Sequence, residues 1–237
     1  MNGHPVTVSY ARLHRALRKH GVRGCARHAF QLARTRRARR AWARADRAFD
    51  AHHGVDTTGI VPLEALTISS ENKGLGIRYQ PSDPAGFRAL IESLDEPRGE
   101  LTFVDLGAGK GRTLLLASEL GFRRIVGVEF APELCAIARH NVAAYPPSAA
   151  RADDVEIVCS DAAHWPLPDS PLLLYVYNAF EPPLMAEVLR RIHRSWEERP
   201  RTILLALVNR TIDAEELARI GFRLVMDDEH GEVYVPC

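Results

Sequence analysis

Short apolar runs of strand length recur along this chain at Leu101–Leu106, Ile125–Val128, Val155–Cys159, Leu172–Tyr177 and Ile203–Val208. Helical patterns fill most of the gaps, over Arg112–Leu120, Pro132–Val142 and Pro183–Glu197, and another, Ala214–Ile220, follows the last run. A strand that is apolar throughout needs cover on both faces, and a connection through a helix returns the chain parallel to the strand it left. The rhythm therefore predicts an α/β fold, a mainly parallel sheet with helices on both sides. Phe222–Met226 and Glu232–Val235 have no helix between them, so an antiparallel pair is expected to close one edge and bring the sheet to seven strands. Pro84, preceded by the capping candidates Ser82 and Asp83, opens a further helix towards Leu94.

With 237 residues, 46% hydrophobic and 26% charged, the chain has enough material for one sizeable core and an appendage. Its longest apolar runs fall far short of the roughly 20 residues of a membrane-spanning helix. Four scattered cysteines with no C-x-x-C pair argue against a zinc ribbon or a disulfide framework, and point to a reducing cytoplasm. His52, His53 and His164 form no metal-spaced set, so no metal is expected. Charge is distributed unevenly. Residues 1–50 carry 13 basic and 2 acidic side chains, a net +11, whereas the whole chain is only +1. A basic helical arm over 1–50 is expected, followed by a connecting region over 51–81 and a body over 82–237. Arg34, Arg36, Arg37, Arg39 and Arg40 are a candidate patch for nucleic acid, an acidic protein or an anionic membrane. The alternative is the solvated face of a helix packed through Trp42 and Phe49. An arginine-rich, acid-poor start also resembles an organelle transit peptide. The connecting region is punctuated by Gly54, Gly59, Pro62, Gly74 and Gly76, and a loop of that length is usually functional or disordered.

The first buried strand runs into Asp105-Leu106-Gly107-Ala108-Gly109-Lys110-Gly111, just before a helix. Such a turn lies at the ligand-binding corner of an open parallel sheet, and alternate glycines let a ligand approach the backbone. A dinucleotide fingerprint wants glycine or alanine where this chain has Arg112, and Asp105 would repel a diphosphate. Both features count against a nicotinamide-dependent oxidoreductase. They suit a cationic ligand.

Asp105–Gly111 resembles motif I of the class I S-adenosylmethionine-dependent methyltransferases, and the order of strands and helices extends the resemblance over most of 82–237. The resemblance implies a Rossmann-like methyltransferase sheet with S-adenosyl-L-methionine as cofactor. It places Gly107, Gly109 and Gly111 against the methionine part and gives Asp105 the amino group. Glu129 would take the ribose hydroxyls, Phe130 the adenine ring and Asp161 the adenine amino group. Tyr177-Asn178-Ala179-Phe180-Glu181-Pro182-Pro183 resembles the N-P-P-Y or N-P-F element of members that methylate nitrogen, with Ala179 in place of proline. That implies Asn178 and Phe180 at the methyl acceptor; the competing reading is a turn ahead of a helix started by its prolines. Tyr79-Gln80-Pro81-Ser82 is similar to a loop in some bacterial methyltransferases, and more distantly in the Dot1-like protein-lysine group, where a tyrosine closes over the cofactor. The expected reaction is in-line attack on the methyl carbon, governed by alignment, with Asn178 orienting the nucleophile and Glu181 the one candidate base. The acceptor is left open. The rival readings are a non-enzymatic nucleic-acid or membrane adaptor with a degenerate core, and the oxidoreductase.

Overall fold

The apolar runs become strands because successive side chains find helices on opposite sides. In the computed structural model, which describes residues 43–145 and 154–237, the strands are β1 Thr102–Leu106, β2 Arg124–Glu129, β3 Val155–Cys159, β4 Leu172–Tyr177, β5 Ile203–Val208, β6 Phe222–Asp228 and β7 Gly231–Pro236. They form one sheet in the order β3-β2-β1-β4-β5-β7-β6. The first five are parallel, and β7 runs antiparallel between β5 and β6. The helices are α1 (residues 43–53), α2 Pro84–Glu92, α3 Arg112–Ser118, α4 Pro132–Ala144, α5 Pro182–Glu198 and α6 Ala214–Ile220. Asp83 caps α2 by accepting the Gly86 amide at 2.8 Å. Expectation and structure agree on every strand and on α2–α6, within two residues at each end.

Side-chain parity divides the core. Val104, Val126, Leu174 and Leu205 point to one face and pack with Leu184, Val188, Leu189 and Ile192 of α5. Phe103 and Tyr175 point to the other, where Phe87 of α2 meets them edge-on at 5.7 and 5.2 Å. On that side α2 packs on α3 and α3 on α4. β3 departs from the buried strand that was expected. It is an edge strand whose residues are half-buried or exposed, and its Glu156 pairs with Arg124 at 2.5 Å.

The chain divides into two compact units, 1–49 and 50–237. Of the first, residues 43–49 are described and are helical. The rest of the predicted arm, with Arg34, Arg36, Arg37, Arg39, Arg40 and Trp42, lies outside the described residues. No helix among the described residues is long and apolar enough to cross a membrane.

Residues 54–82 form a strap along the carboxyl ends of the strands, with little regular structure beyond the 3-10 turns Leu63–Ala65 and Glu71–Leu75. Those turns bury no residue, and beside the small apolar cluster of Leu66 and Ile68 the strap is fastened by polar bonds. Asn141 on α4, 0% exposed, accepts the Asp56 amide at 2.8 Å and donates to the carbonyls of Asp56 and Lys110, each at 2.8 Å. The buried Arg112 guanidinium donates to Thr57 Oγ1 at 2.7 Å and to the Ser82 carbonyl at 3.2 Å, tying both ends of the strap to the start of α3. Asp50 accepts the amides of Thr57 and Thr58 at 2.8 Å each. In the middle, the Ile77 amide donates to the Ala179 carbonyl at 3.0 Å and the Glu181 amide to the Leu75 carbonyl at 2.8 Å.

Replacing Asn141 by alanine leaves one amide and two carbonyls without their buried partner. A loss of about 2 to 4 kcal/mol is expected, the cost of stranding such groups, read as a lower urea midpoint at unchanged m-value. An unchanged midpoint would show that these bonds do not hold the strap.

Candidate active site

The neighbours β1 and β4 are followed by helices that pack on opposite faces of the sheet, α3 on one and α5 on the other. That divergence opens a crevice at their carboxyl ends. The crevice encloses about 810 Å³ including its mouth, and its walls include Tyr79, Asp105, Gly107, Gly109, Glu129, Phe130, Asp161, Asn178 and Phe180. All but two of the site residues singled out from the sequence therefore meet in one place; the candidate base Glu181, at the N-cap of α5, is not among the walls. Gly111 stands behind the cleft, capping α3 against Ala138 of α4.

Two carboxylates lie at the bottom. Glu129, 5% exposed, accepts the Gly109 amide on Oε2 and the Ala131 amide on Oε1, both at 2.9 Å. Burial raises its pKa, and the amides of Ala131, Gly109 and Phe130 oppose that rise. Asp105, 3% exposed, accepts the Thr113 hydroxyl of α3. Burial pushes Asp105 up to about 7; the Thr113 bond works the other way, and the Glu129 charge adds to the rise. Two buried acids sharing a cleft favour a ligand that brings positive charge and hydroxyl donors.

The glycine turn is shaped by its neighbours. Gly109 has φ +55, and a side chain there would run into the Tyr79 ring. Tyr79 lies across the turn, its hydroxyl donating to the Thr57 carbonyl at 2.6 Å. Gly107 has φ +93, and a Cβ on it would sit 2.6 Å from that of Ala179. Phe130 packs just as tightly against the strap, 2.6 Å from where a Cβ on Gly76 would be. Opposite, Gln80 donates to the Tyr177 hydroxyl at 2.8 Å, joining strap and β4 across the cleft.

Asp161 lines the cleft and also anchors the strap. It accepts the Ser70 hydroxyl, the Asn72 amide group at 2.9 Å and the Ala163 backbone amide at 2.8 Å. Burial alone would raise its pKa; the bonds from Ser70, Ala163 and Asn72 outweigh it and lower the value. Phe180 is 7% exposed and belongs to the main core, with its carbonyl accepting Thr211 Oγ1 at 2.6 Å. Asn178 ends β4 with φ +44, and its side chain has no hydrogen bond to another described residue.

Several residues that build the site were not singled out from the sequence. Asn141 carried a usable signal, since it falls on the face of α4 marked by Leu134 and Ala138, where a polar side chain demands partners. Ser70 and Asn72 carried none, because Asp161 is distant in sequence, and Arg112 was noted only as a break in the dinucleotide fingerprint, its partners Thr57 and Ser82 lying far along the chain.

Residues 103–198 match the family model for a methyltransferase domain. The matched stretch runs from β1 to the end of α5 and carries Asp105, Glu129, Asp161 and Asn178. No curated protein sequence matches the chain. Among solved structures, similarity is found to a predicted N6-adenine-specific DNA methylase from Listeria monocytogenes, 13% identical, over 66% of this chain and 51% of that one, with a TM-score of 0.48. An RNA methyltransferase from Salinibacter ruber in complex with S-adenosyl-L-homocysteine is 24% identical over 65% and 91% of the two chains, TM-score 0.44. A TehB-like methyltransferase from Corynebacterium glutamicum is 18% identical over 64% and 85%, TM-score 0.42. The chain thus spans about half the length of the Listeria methylase.

The cleft fits S-adenosyl-L-methionine chemically. Asp105 suits the ammonium, and the oxygens of Glu129 keep lone pairs for ribose hydroxyls beyond the two amides they already serve. Phe130 offers an apolar wall beside them. Removing Glu129 as Ala should abolish S-adenosylhomocysteine binding by calorimetry while the circular dichroism spectrum stays unchanged; retained binding would refute the assignment. A second expectation follows from Asp105. Below about pH 7 its carboxyl holds a proton that an incoming ammonium must displace, so affinity for S-adenosylhomocysteine should rise from about pH 6 to about pH 8 and then level off. Asp105→Asn should bind more weakly and lose that step.

Proposed function

We propose that this chain is an S-adenosylmethionine-dependent methyltransferase that transfers the methyl group to a nitrogen acceptor oriented by Asn178. The carrying observation is the backbone of Asn178. A non-glycine residue at φ +44 on the carboxyl end of a central strand, lining the cofactor cleft with its amide side chain uncommitted, is held there by the fold around it. The Asn178 amide donates to the Val208 carbonyl at 3.1 Å, and Ala179 is tied to the strap, so the side chain is presented from a fixed turn. Its carbonyl oxygen suits an N–H of the acceptor and would aim the nitrogen lone pair at the methyl carbon.

The cofactor supplies a methyl group activated by a positively charged sulfur. The protein's part is alignment and exclusion of water. Asp105 and Glu129 hold the cofactor from below, the strap covers it through Tyr79, and Gln80 steadies Tyr177 beside Asn178. Phe180 contributes as buried support for that turn more than as a stacking surface, given its place in the core. The net +11 of residues 1–50 supports an anionic partner, an acidic protein or nucleic acid, at Arg34, Arg36, Arg37, Arg39 and Arg40. Steep loss of its binding with added salt is the corresponding signature. The free thiols of Cys135, Cys159 and Cys237 support a cytoplasmic location.

The test uses methyl-labelled S-adenosylmethionine and cell extract separated into small-molecule, protein and nucleic-acid pools. Wild type should label one pool. Asn178→Gly, which keeps the left-handed backbone available, should bind S-adenosylhomocysteine as wild type does and label about 100-fold more slowly, in the range expected for losing an orienting group. Equal labelling by wild type and Asn178→Gly would remove Asn178 from the reaction.

A further inference from the structure

Two thiols flank the backbone of Glu129, and nothing in the methyl-transfer chemistry uses them. Cys135, in the first turn of α4, is fully buried and donates its S–H to the Glu129 carbonyl at 3.3 Å. Cys159, the last residue of β3, is the ladder partner of Glu129 and is exposed. Ladder partners on parallel strands put their side chains on the same face of the sheet, so Cys159 stands with Glu129 on the face that α4 covers, at the level of Cys135, and both are free thiols. Glu129 thus offers its carboxylate to the cofactor and has two free thiols beside its main chain, one buried and one exposed.

The two thiols differ in reactivity. Burial, with the neighbouring Cys159 and Glu129, holds the Cys135 thiol far above its ordinary range, so it is not the thiol that meets peroxide first. Cys159 is the sulfur an oxidant reaches first.

We propose that Cys135 and Cys159 are a peroxide-responsive modification site whose disulfide form weakens cofactor binding through Glu129. The proposal rests on the cofactor reading of Glu129. In the first step Cys159 attacks hydrogen peroxide: an S–O bond forms, the O–O bond breaks, and Cys159 becomes a sulfenic acid with release of one water. In the second, the Cys135 sulfur attacks Cys159, the S–S bond forms, the S–O bond breaks, and the thiol proton leaves with hydroxide as a second water. The thiol pair is oxidised by two electrons and the peroxide reduced by two. The new bond removes the thiol donor from the Glu129 carbonyl and draws the first turn of α4 towards β3. Phe130 and Ala131, which directly precede α4, move with that turn, and the Ala131 amide is one of the two that align the Glu129 carboxylate.

The test treats the full chain with stoichiometric hydrogen peroxide and compares non-reducing peptide maps with calorimetric S-adenosylhomocysteine affinity. The expected result is a Cys135–Cys159 cross-linked peptide and binding about tenfold weaker, the scale of one misaligned charge-assisted bond, restored by dithiothreitol. Cys159→Ser should bind the ligand as wild type does and show no response to peroxide. Oxidation of Cys159 to sulfinic or sulfonic acid without the cross-link would overturn the proposal, as would a cross-link that leaves affinity unchanged. Formation of the cross-link in a protein that does not bind S-adenosylhomocysteine even when reduced would instead refute the cofactor reading, and the coupling with it.

Discussion

The site depends on one carboxylate. Glu129 is almost withdrawn from water, a position that costs an ionised acid heavily unless donors replace the lost solvent. The amides of Gly109 and Ala131 are those donors, and they come from the two turns that leave β1 and β2. Satisfying Glu129 therefore brings the glycine turn and the start of α4 to the same point. Once Gly109 is there, the Tyr79 ring can lie directly on it, because no side chain intervenes. The position of the strap follows from the position of the turn.

The strap is held in a different way from the sheet. Sheet and helices share an extensive apolar core, whereas the strap buries Leu66 and Ile68 in a small cluster with Ala131 and Leu134, with Val61, Leu63 and Tyr79 partly buried against it. Its registration comes from directional bonds to buried polar side chains, chiefly Asn141, Arg112 and Asp161. Such bonds are specific in geometry and modest in net strength, which suits a cover that must hold one position over a ligand without adding to the core. Asp161 illustrates the economy of the arrangement, since the acid that lines the cleft also fastens its cover.

Charge in the cleft is set by burial. Asp105 has a hydroxyl partner and a buried acidic neighbour, and its withdrawal from water makes its proton affinity high in the free protein. A ligand carrying an ammonium group relieves that strain. The affinity of the cleft for such a ligand is thus tied to the same burial that makes Asp105 costly to keep.

Most of the fold could be read before the structure was seen. Periodicity distinguishes strands from helices locally, and the Asp105–Gly111 turn marks the crevice because glycine at alternate positions is a local requirement of close approach. The gathering of Asp105, Glu129 and Asn178 at one edge of the sheet was likewise visible, since each sits at or just beyond the carboxyl end of a strand. What the sequence could not show is which distant groups complete them. Nothing local links Asn141 to Asp56, Arg112 to Thr57 and Ser82, or Asp161 to Ser70 and Asn72. The edge position of β3 and the burial of Phe180 were also decided in three dimensions, because they depend on how many neighbours a strand or a turn acquires. The residues alone determined the elements and the chemistry of the turn. Tertiary packing determined how far each acid is buried, which partners it keeps and what covers it, because desolvation and long-range hydrogen bonding exist only once the chain has closed on itself.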